Sequence, residues 1–351
     1  MNILVTGGTG FIGSHVSLLL IEQGHNVFIL DSLINSNEIV FSRIKKLAGI
    51  KCQENILFFK GDLRKIEDIH NIFNCAKERG KPIETVLHFA GLKSASESSF
   101  RPMAYWENNV IASLNLIKVM EQNNCKKIVF SSSAIVYGDK YQSPISESNY
   151  PDPKNPYGHT KLSIENFLSN MFSDPDSDWK IAILRYFNPA GNHKSGIIGE
   201  DPKGLPTNLF PLICKVAVGN IRRIKVFGDD WETLDGSGVR DYIHVMDLAE
   251  GHIRALDFII NKRKKVFLVL NLGTGFGTSV FEMIDTFERV NDLKIDYEVV
   301  NRRICDSAQI FADCKKAKEI LGWTPKRSLE DICRDGWKWQ KDNPNGYNFL
   351  D

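Results

Sequence analysis

The sequence predicts an α/β fold, a doubly wound parallel sheet with a smaller C-terminal α/β domain. Three observations predict it. Short apolar runs alternate with amphipathic segments through the first half. A glycine-rich turn opens the first of those segments. Beyond residue 188 the texture changes, as prolines and glycines crowd together.

The apolar runs are residues 3–6, 27–31, 56–60, 86–90, 128–132 and 181–186. Each is short and rich in β-branched side chains, as strands covered on both faces should be. Helical patterns fall between them, near 11–23, 37–48, 65–79, 102–123 and 157–172. Such alternation makes a parallel sheet with helices on both sides. In 109–120, Val110, Leu114, Ile117 and Met120 recur every three or four residues, as one helix face requires. Pro189, Gly191, Gly196, Gly199, Pro202, Gly204 and Pro206 then interrupt any long element, so 188–238 reads as loops and short elements outside the sheet. Residues 266–270 return as one more strand. Ser279 and Glu282 make a capping-box pattern that opens a helix to about residue 291. Further helices are expected over 313–321, stopped by Gly322, and over 328–341. The expected domains are 1–187, with a return segment near 239–272, and 188–351.

The 351 residues suit one large domain with a smaller one. A net charge of +1 does not advertise nucleic acid or an anionic membrane as partner, and Lys262 to Lys265 reads as a solvated turn. The seven cysteines are odd in number and scattered, without C-x-x-C. That disfavours a disulfide framework or a structural metal site and favours a reducing, cytoplasmic setting. The chain enters a strand at once, without a basic leader, and no apolar stretch is long enough for a membrane span.

Gly8 to Gly13 matches G-x-G-x-x-G, preceded by Gly7, between a predicted strand and a predicted helix. Small residues let the backbone approach a pyrophosphate, and the helix N-terminus offers free N–H groups. The plain alternative is a tight strand–helix turn. Asp31 ends the second strand, eighteen residues after Gly13. A carboxylate there accepts both ribose hydroxyls of an adenosine and repels a 2′-phosphate. No Arg or Lys follows between Ser32 and Glu38, so NAD is favoured over NADP. The alternative for Asp31 is a cap for the helix near 37. Asp62 reads equally as an adenine neighbour or an N-cap. The sheet is therefore expected to be Rossmann-like.

Tyr157 and Lys161 form a Y-x-x-x-K pair, on one face of a predicted helix. A phenol of pKa about 10 is a weak base at neutral pH. A nearby ammonium and a cationic nicotinamide are expected to lower it, making Tyr157 a proton acceptor. Ser133 ends a strand about 25 residues upstream, where ligands of open parallel sheets bind. Taken alone, the pair would be a solvated helical neighbourhood.

Five segments carry a resemblance that runs nearly end to end: 5–15, 88–93, 130–134, 184–189 and 238–245. On them the chain resembles the extended short-chain dehydrogenase/reductase family, and within it the UDP-glucose (UDP-galactose) 4-epimerases. The resemblance implies NAD as cofactor and a UDP-sugar as substrate. It implies that Tyr157 takes the C4 hydroxyl proton, Ser133 assists, and Lys161 binds the nicotinamide ribose. Gly7, Gly10, Phe11, Ile12, Gly13, Asp31, Asn35, Asp62, Leu63, Phe89, Ala90, Lys93, Asn108 and Tyr186 would line the cofactor site. Lys93, Ser133, Tyr157, Asn188, Asn208, Leu209, Phe227, Arg240, Arg303, Asp306 and Ile310 would meet the UDP-sugar, with no metal. Two arginines suit a diphosphate, and Phe227 suits uracil or ribose. From the residues alone, both arginines would read as surface ion pairs.

Three rivals remain. A 4,6-dehydratase of this family carries an Asp-Glu pair after the hydroxyl residue, whereas Ala134 and Ile135 follow Ser133 here. For a UDP-glucuronate 4-epimerase, this sequence shows no added basic residue clearly assigned to the C6 carboxylate, although spacing alone does not exclude one. A non-catalytic NAD-binding sensor would not need Tyr157 with Lys161. Two departures from the family pattern matter. Cys305 replaces a glycine beside Arg303 and Asp306, and would strain the loop if that glycine uses positive φ. Ile310 replaces a tyrosine that accompanies glucose-only members, which implies room for N-acetylated hexoses; the alternative is a core isoleucine. The resemblance also implies a homodimer through helices near 102–123 and 157–172.

Overall fold

The computed structural model describes residues 1–303 and 306–348. Fourteen strands occur among them: β1 Asn2–Thr6, β2 Asn26–Asp31, β3 Ile56–Lys60, β4 Thr85–His88, β5 Lys127–Ser133, β6 Lys180–Tyr186, β7 Asn188–Ala190, β8 Ile224–Phe227, β9 Val239–Arg240, β10 Tyr242–His244, β11 Val266–Leu272, β12 Thr278–Ser279, β13 Tyr297–Val300 and β14 Gln309–Ile310. The α-helices are α1 Phe11–Glu22, α2 Ile39–Ala48, α3 Ile66–Glu78, α4 Ala95–Phe100, α5 Pro102–Tyr105, α6 Ala112–Gln122, α7 Pro156–Ser173, α8 Leu209–Ala217, α9 Val245–Ile260, α10 Val280–Asn291, α11 Lys315–Leu321 and α12 Leu329–Asp342.

A seven-stranded sheet has the order β11-β6-β5-β4-β1-β2-β3. The pairs β1–β2, β1–β4, β2–β3 and β4–β5 are all parallel. β1 thus has β2 on one side and β4 on the other, and the strand order reverses there, which opens a crevice beyond the carboxyl ends. The fold is the Rossmann-like α/β architecture that the alternation predicts.

The chain divides into two compact units. One comprises Met1–Gly138, Pro151–Arg185 and Ala249–Leu270; the other comprises Asp139–Tyr150, Tyr186–Leu248 and Asn271–Asp351. The first has a core of sheet residues such as Leu4, Phe28, Val86 and Phe130 under helix residues such as Ile72, Leu116 and Leu168. The second has its own core, in which Phe210, Met283, Phe287 and Ile332 come from three helices.

Local chemistry explains the boundaries. Asn155 accepts from the Gly158 N–H at 2.9 Å and Pro156 takes the first helical position, so α7 starts sharply. Ser279 with Glu282, and Ser328 with Asp331, form capping boxes on α10 and α12. Gly322 closes α11 in the left-handed conformation.

The structure fills two gaps in the sequence reading and corrects one expectation. The stretch 188–238 holds short elements outside the sheet, as expected. It holds α8, whose Pro211 lies in the first turn where proline is tolerated, and the proline and glycine punctuation around it masked the helix. α9 is a helix that the sequence reading does not include; it follows β10 directly and most of its residues are buried. The stretch 102–123 is not one regular helix: residues Trp106–Ile111 are π-helical. Leu114, Ile117 and Met120 all follow that turn, in α6. Ile117 and Met120 lie in the core, while Leu114 is 37% exposed. No helix among the described residues is long and apolar enough to cross a membrane.

Candidate active site

The glycine turn lies at the reversal point of the sheet. Gly7 has φ +69°, and a Cβ there would stand 2.8 Å from Ala90 N, in the turn after β4. A Cβ on Gly13 would fall 2.2 Å from Gly7 O, so no side chain fits. Gly10 is the N-cap of α1 and offers no side-chain cap, and the first turn has no acidic residue. Phe11 and Ile12 follow as the first, half-buried residues of that helix. Its leading N–H groups therefore suit an anionic ligand.

Asp31 is 8% exposed and accepts from Thr9 N at 3.1 Å, Leu33 N at 2.9 Å and Ser36 Oγ at 2.9 Å. It caps no helix, because the N-cap of α2 is Glu38, which makes no side-chain cap. Three donors use most of the roughly four acceptor sites of a carboxylate. Asn35 is exposed on the same loop. Asp62 likewise caps no helix; Lys65 precedes α3, and Asp62 pairs with Arg64 at 2.5 Å. That pairing, more than its burial, holds the Asp62 carboxyl below the usual range. The Leu63 side chain is in the core. Phe89 packs on His252 with ring centres 4.8 Å apart, and exposed Lys93 holds its amine 6.0 Å from the Phe11 ring centre. Asn108 is half-buried and donates to Ala104 O at 2.8 Å.

Tyr157 and Lys161 lie one turn apart on α7, 8% and 5% exposed. The Tyr157 phenol is hydrogen-bonded to Ser133, and its ring meets Tyr105 edge-on with centres 6.2 Å apart. Lys161 Nζ donates to Ser131 O at 2.8 Å and lies 4.9 Å from the Phe130 ring centre. A Cβ on Gly91 would stand 3.9 Å from that amine. Glycine turn, β4 turn and Tyr157/Lys161 pair thus form one continuous neighbourhood.

The expected lowering of the Tyr157 pKa is not a property of the polypeptide. Burial pushes the phenol up to about 12, against the Ser133 hydrogen bond. Burial also brings Lys161 down to about 8, and Glu165 opposes that fall. Desolvation outweighs both favourable contacts because it acts on the charged forms themselves.

Sequence reasoning missed three buried polar residues here. Asn109, in the π-helical turn, donates to Leu92 O at 3.1 Å and Thr160 Oγ1 at 3.0 Å. His88 joins Thr6 Oγ1 at 2.7 Å to Ser113 Oγ at 2.8 Å. Glu165 pairs with Arg185 of β6. An arginine inside the apolar run 181–186 was the available signal, since a buried charge requires a partner.

The residues expected to meet a UDP-sugar lie mostly in the second unit, with Tyr186 (9% exposed) at its start. Asn188 belongs to β7 and donates its backbone N–H to the Asp241 carbonyl at 3.0 Å. Asn208 is exposed at the start of α8, and Leu209 packs on the second core. Asp306 sits between Arg240 and Arg303, bonded to both. Two guanidiniums share one carboxylate, which leaves an excess of positive charge. The Arg303 guanidinium stacks 4.5 Å from the centre of the Phe227 ring, the face expected for uracil or ribose. Ile310 pairs with Arg240 across β14 and β9, is half-buried, and belongs to neither core. Cys305 lies outside the described residues.

Comparisons with known proteins agree with this geometry. Residues 4–336 match the family model described as GDP-mannose 4,6 dehydratase. The UDP-glucose 4-epimerase of Yersinia enterocolitica is 48% identical, over 99% of this chain and 100% of that protein. A solved UDP-glucose 4-epimerase from Stenotrophomonas maltophila, with bound NAD and formylated UDP-arabinopyranose, superposes with a TM-score of 0.92 at 43% identity, covering 98% of this chain and 99% of that one. That from Bifidobacterium longum, in complex with NAD+ and UDP, gives 0.90 at 42% identity, covering 99% and 100%. With the glycine turn, the buried Tyr157/Lys161 pair and this likeness over its whole length, the chain belongs to the UDP-glucose 4-epimerase family of the extended short-chain dehydrogenases/reductases.

Proposed function

We propose that this chain is an NAD-dependent isomerase that interconverts UDP-glucose and UDP-galactose by inverting the hexose C4 hydroxyl. The observation that carries this reading is the buried Tyr157 phenol, bonded to Ser133 and one turn from Lys161, beside the turns that follow β1 and β4. The residues present fit the cofactor: Gly7 and Gly13 leave a cradle that any Cβ would fill. Uncapped N–H groups of α1 would receive its pyrophosphate and Asp31 its adenosine ribose. Bound there, NAD would supply a hydride acceptor for C4 and the hydride that restores it.

The protein's own part is proton transfer and positioning. Tyr157 takes the C4 hydroxyl proton, directly or through Ser133, and later gives it back. A phenol at about 12 is a base only near positive charge. Lys161, tethered to Ser131, supplies one such charge at a fixed place and would hold the nicotinamide ribose. In the second unit, Arg240 and Arg303 would grip the diphosphate, with Asp306 orienting both. Asn188, Asn208, Leu209 and Phe227 would complete the nucleotide site. Holding the diphosphate firmly and the hexose loosely lets a 4-ketose turn over before hydride returns.

Ala134 and Ile135 offer no acid to expel a hydroxyl, so elimination of the dehydratase kind is not supported. Half-buried Ile310, outside both cores, supports tolerance of UDP-N-acetylhexoses. Exposed Trp106, Ile111 and Leu114 near the π-helical turn, with Phe167 on α7, support a homodimer. The free thiols of Cys75, Cys125, Cys214, Cys314 and Cys333 support work in a reducing cytoplasm, in galactose metabolism. The decisive experiment supplies purified protein with UDP-galactose and follows UDP-glucose. No conversion, with NAD present, would refute the reading.

A further inference from the structure

Three consecutive serines at the end of β5 are joined to three successive turns of α7. Ser133 bonds the Tyr157 phenol, and the Ser131 carbonyl accepts from Lys161 at 2.8 Å. The Ser132 hydroxyl donates to Glu165 Oε1. Residues 157, 161 and 165 are four apart and share one helix face. Glu165, 4% exposed, also meets Arg185, 6% exposed, which donates through Nε to Oε1 at 3.0 Å and Oε2 at 3.2 Å and through a terminal nitrogen to Oε2. The Arg185 guanidinium in turn stacks 4.9 Å from the Tyr137 ring centre. Both carboxylate oxygens are thus occupied, and the carboxylate cannot swing over to capture Lys161. No step described above uses this group.

We propose that Glu165 is a positioning residue: locked by Arg185 and Ser132, its carboxylate stands one turn from Lys161 and keeps that side chain an ammonium where water is excluded. The proposal rests on the epimerase reading. Lys161, Arg185 and Glu165 together carry one net positive charge beside a neutral phenol. Without the carboxylate, two cations would share a dry site. Arginine does not surrender its proton, so Lys161 would. Burial already draws Lys161 down to about 8, and Glu165 is the charge that opposes this. The other charged or titratable groups nearby are Tyr157 on α7, Tyr105 against its ring, Arg185 on β6, Tyr137 stacked on that guanidinium, and His88 on β4. Burial and the Lys161 charge push His88 down to about 3, so it stays neutral. The π-helical turn contributes Asn109 and β5 its serines, all uncharged.

The test compares kcat against pH for UDP-galactose conversion in the NAD-loaded enzyme. In Glu165→Gln the alkaline limb, where Lys161 loses its proton, moves to lower pH by about one unit. KM stays within about twofold, because Glu165 does not touch substrate. Glu165→Asp keeps the charge and restores most of the limb. An unpaired Arg185 would threaten folding of the glutamine variant. The double variant Glu165→Gln/Arg185→Met removes both charges together, and its limb still moves to lower pH, by less than in the single variant because the competing cation is gone with the carboxylate. A limb that coincides with the wild type in whichever variant folds overturns the proposal, as does a kcat that falls equally at every pH. A wild-type enzyme inactive on UDP-galactose overturns the epimerase reading and this proposal with it, and is recognised by the lack of any profile.

Discussion

Lys161 holds its amine 6.0 Å from the centre of the Tyr157 ring, yet gives its hydrogen bond to the Ser131 carbonyl at 2.8 Å. The charge is anchored to the strand and not to the phenol it serves. A phenolate formed at Tyr157 therefore meets a cation already in place, without reorganisation. Tyr157→Phe keeps the ring that packs on Tyr105 and removes only the hydroxyl. It should lower kcat about a thousandfold and leave bound NAD unchanged. Steady-state rates and nucleotide content after denaturation check both halves; activity within tenfold of wild type would remove Tyr157 from the chemistry.

Gly13→Ala would bring a methyl group 2.2 Å from Gly7 O. Backbone is in the way, so the turn must shift. The expected result is purified protein with little or no NAD, measured as absorbance released on denaturation. Stoichiometric NAD in this variant would show that the turn does not cradle the cofactor.

His88 predicts a pH dependence of stability. Its folded pKa is about 3 against an ordinary 6.5, with burial the main cause. The unfolded chain therefore binds the extra proton between those values, so stability rises with pH across the window. The contribution is complete above about pH 6.5 and is lost as pH falls toward 3. His25 and His193, also lowered chiefly by burial, act with the same sign. Thermal midpoints at about pH 4.5 and 7.5 should differ less in His88→Gln than in the wild type. An equal difference would clear His88 of this role.

Ile310→Tyr should diminish conversion of UDP-N-acetylgalactosamine by tenfold or more, on the order of one lost methylene-sized fit or greater, and spare UDP-galactose. Parallel rates on the two substrates decide it. Full N-acetyl activity would show that residue 310 does not gate the hexose.

Leu114→Glu with Phe167→Glu places two charges on apolar surface that is 37% exposed at each position. Light scattering at micromolar protein should then report a monomer where the wild type is a dimer. A monomeric wild type would dispose of the dimer outright.

Much of this was legible because it is local. The glycine turn lies between a strand and a helix within thirteen residues, and the Y-x-x-x-K spacing places both side chains on one face. The capping box at Ser279 likewise needs only four residues. What could not be read depends on partners distant in sequence. Glu165 meets Arg185 twenty residues on, and His88 meets Thr6 eighty-two residues back. The Tyr157 pKa of the polypeptide alone is likewise set by the whole fold through desolvation, whereas the expected lowering also counts the charge of a bound nicotinamide. Leu114, Ile117 and Met120 share the regular helix α6, and Leu114 falls at the exposed edge of the face that the periodic reading of 109–120 gave it.

β11 is the outermost member of the seven-stranded sheet, although it comes from residues 266–272 and lies beside β6, from 180–186. Truncating the gene after the first 187 codons would not release a self-sufficient cofactor module. It would strip a border strand and bare the β6 backbone, an invitation to intermolecular strand pairing. Fragment expression or domain grafting with this enzyme must therefore keep the late segment 249–270 with the first 185 residues, by circular permutation or by an added linker.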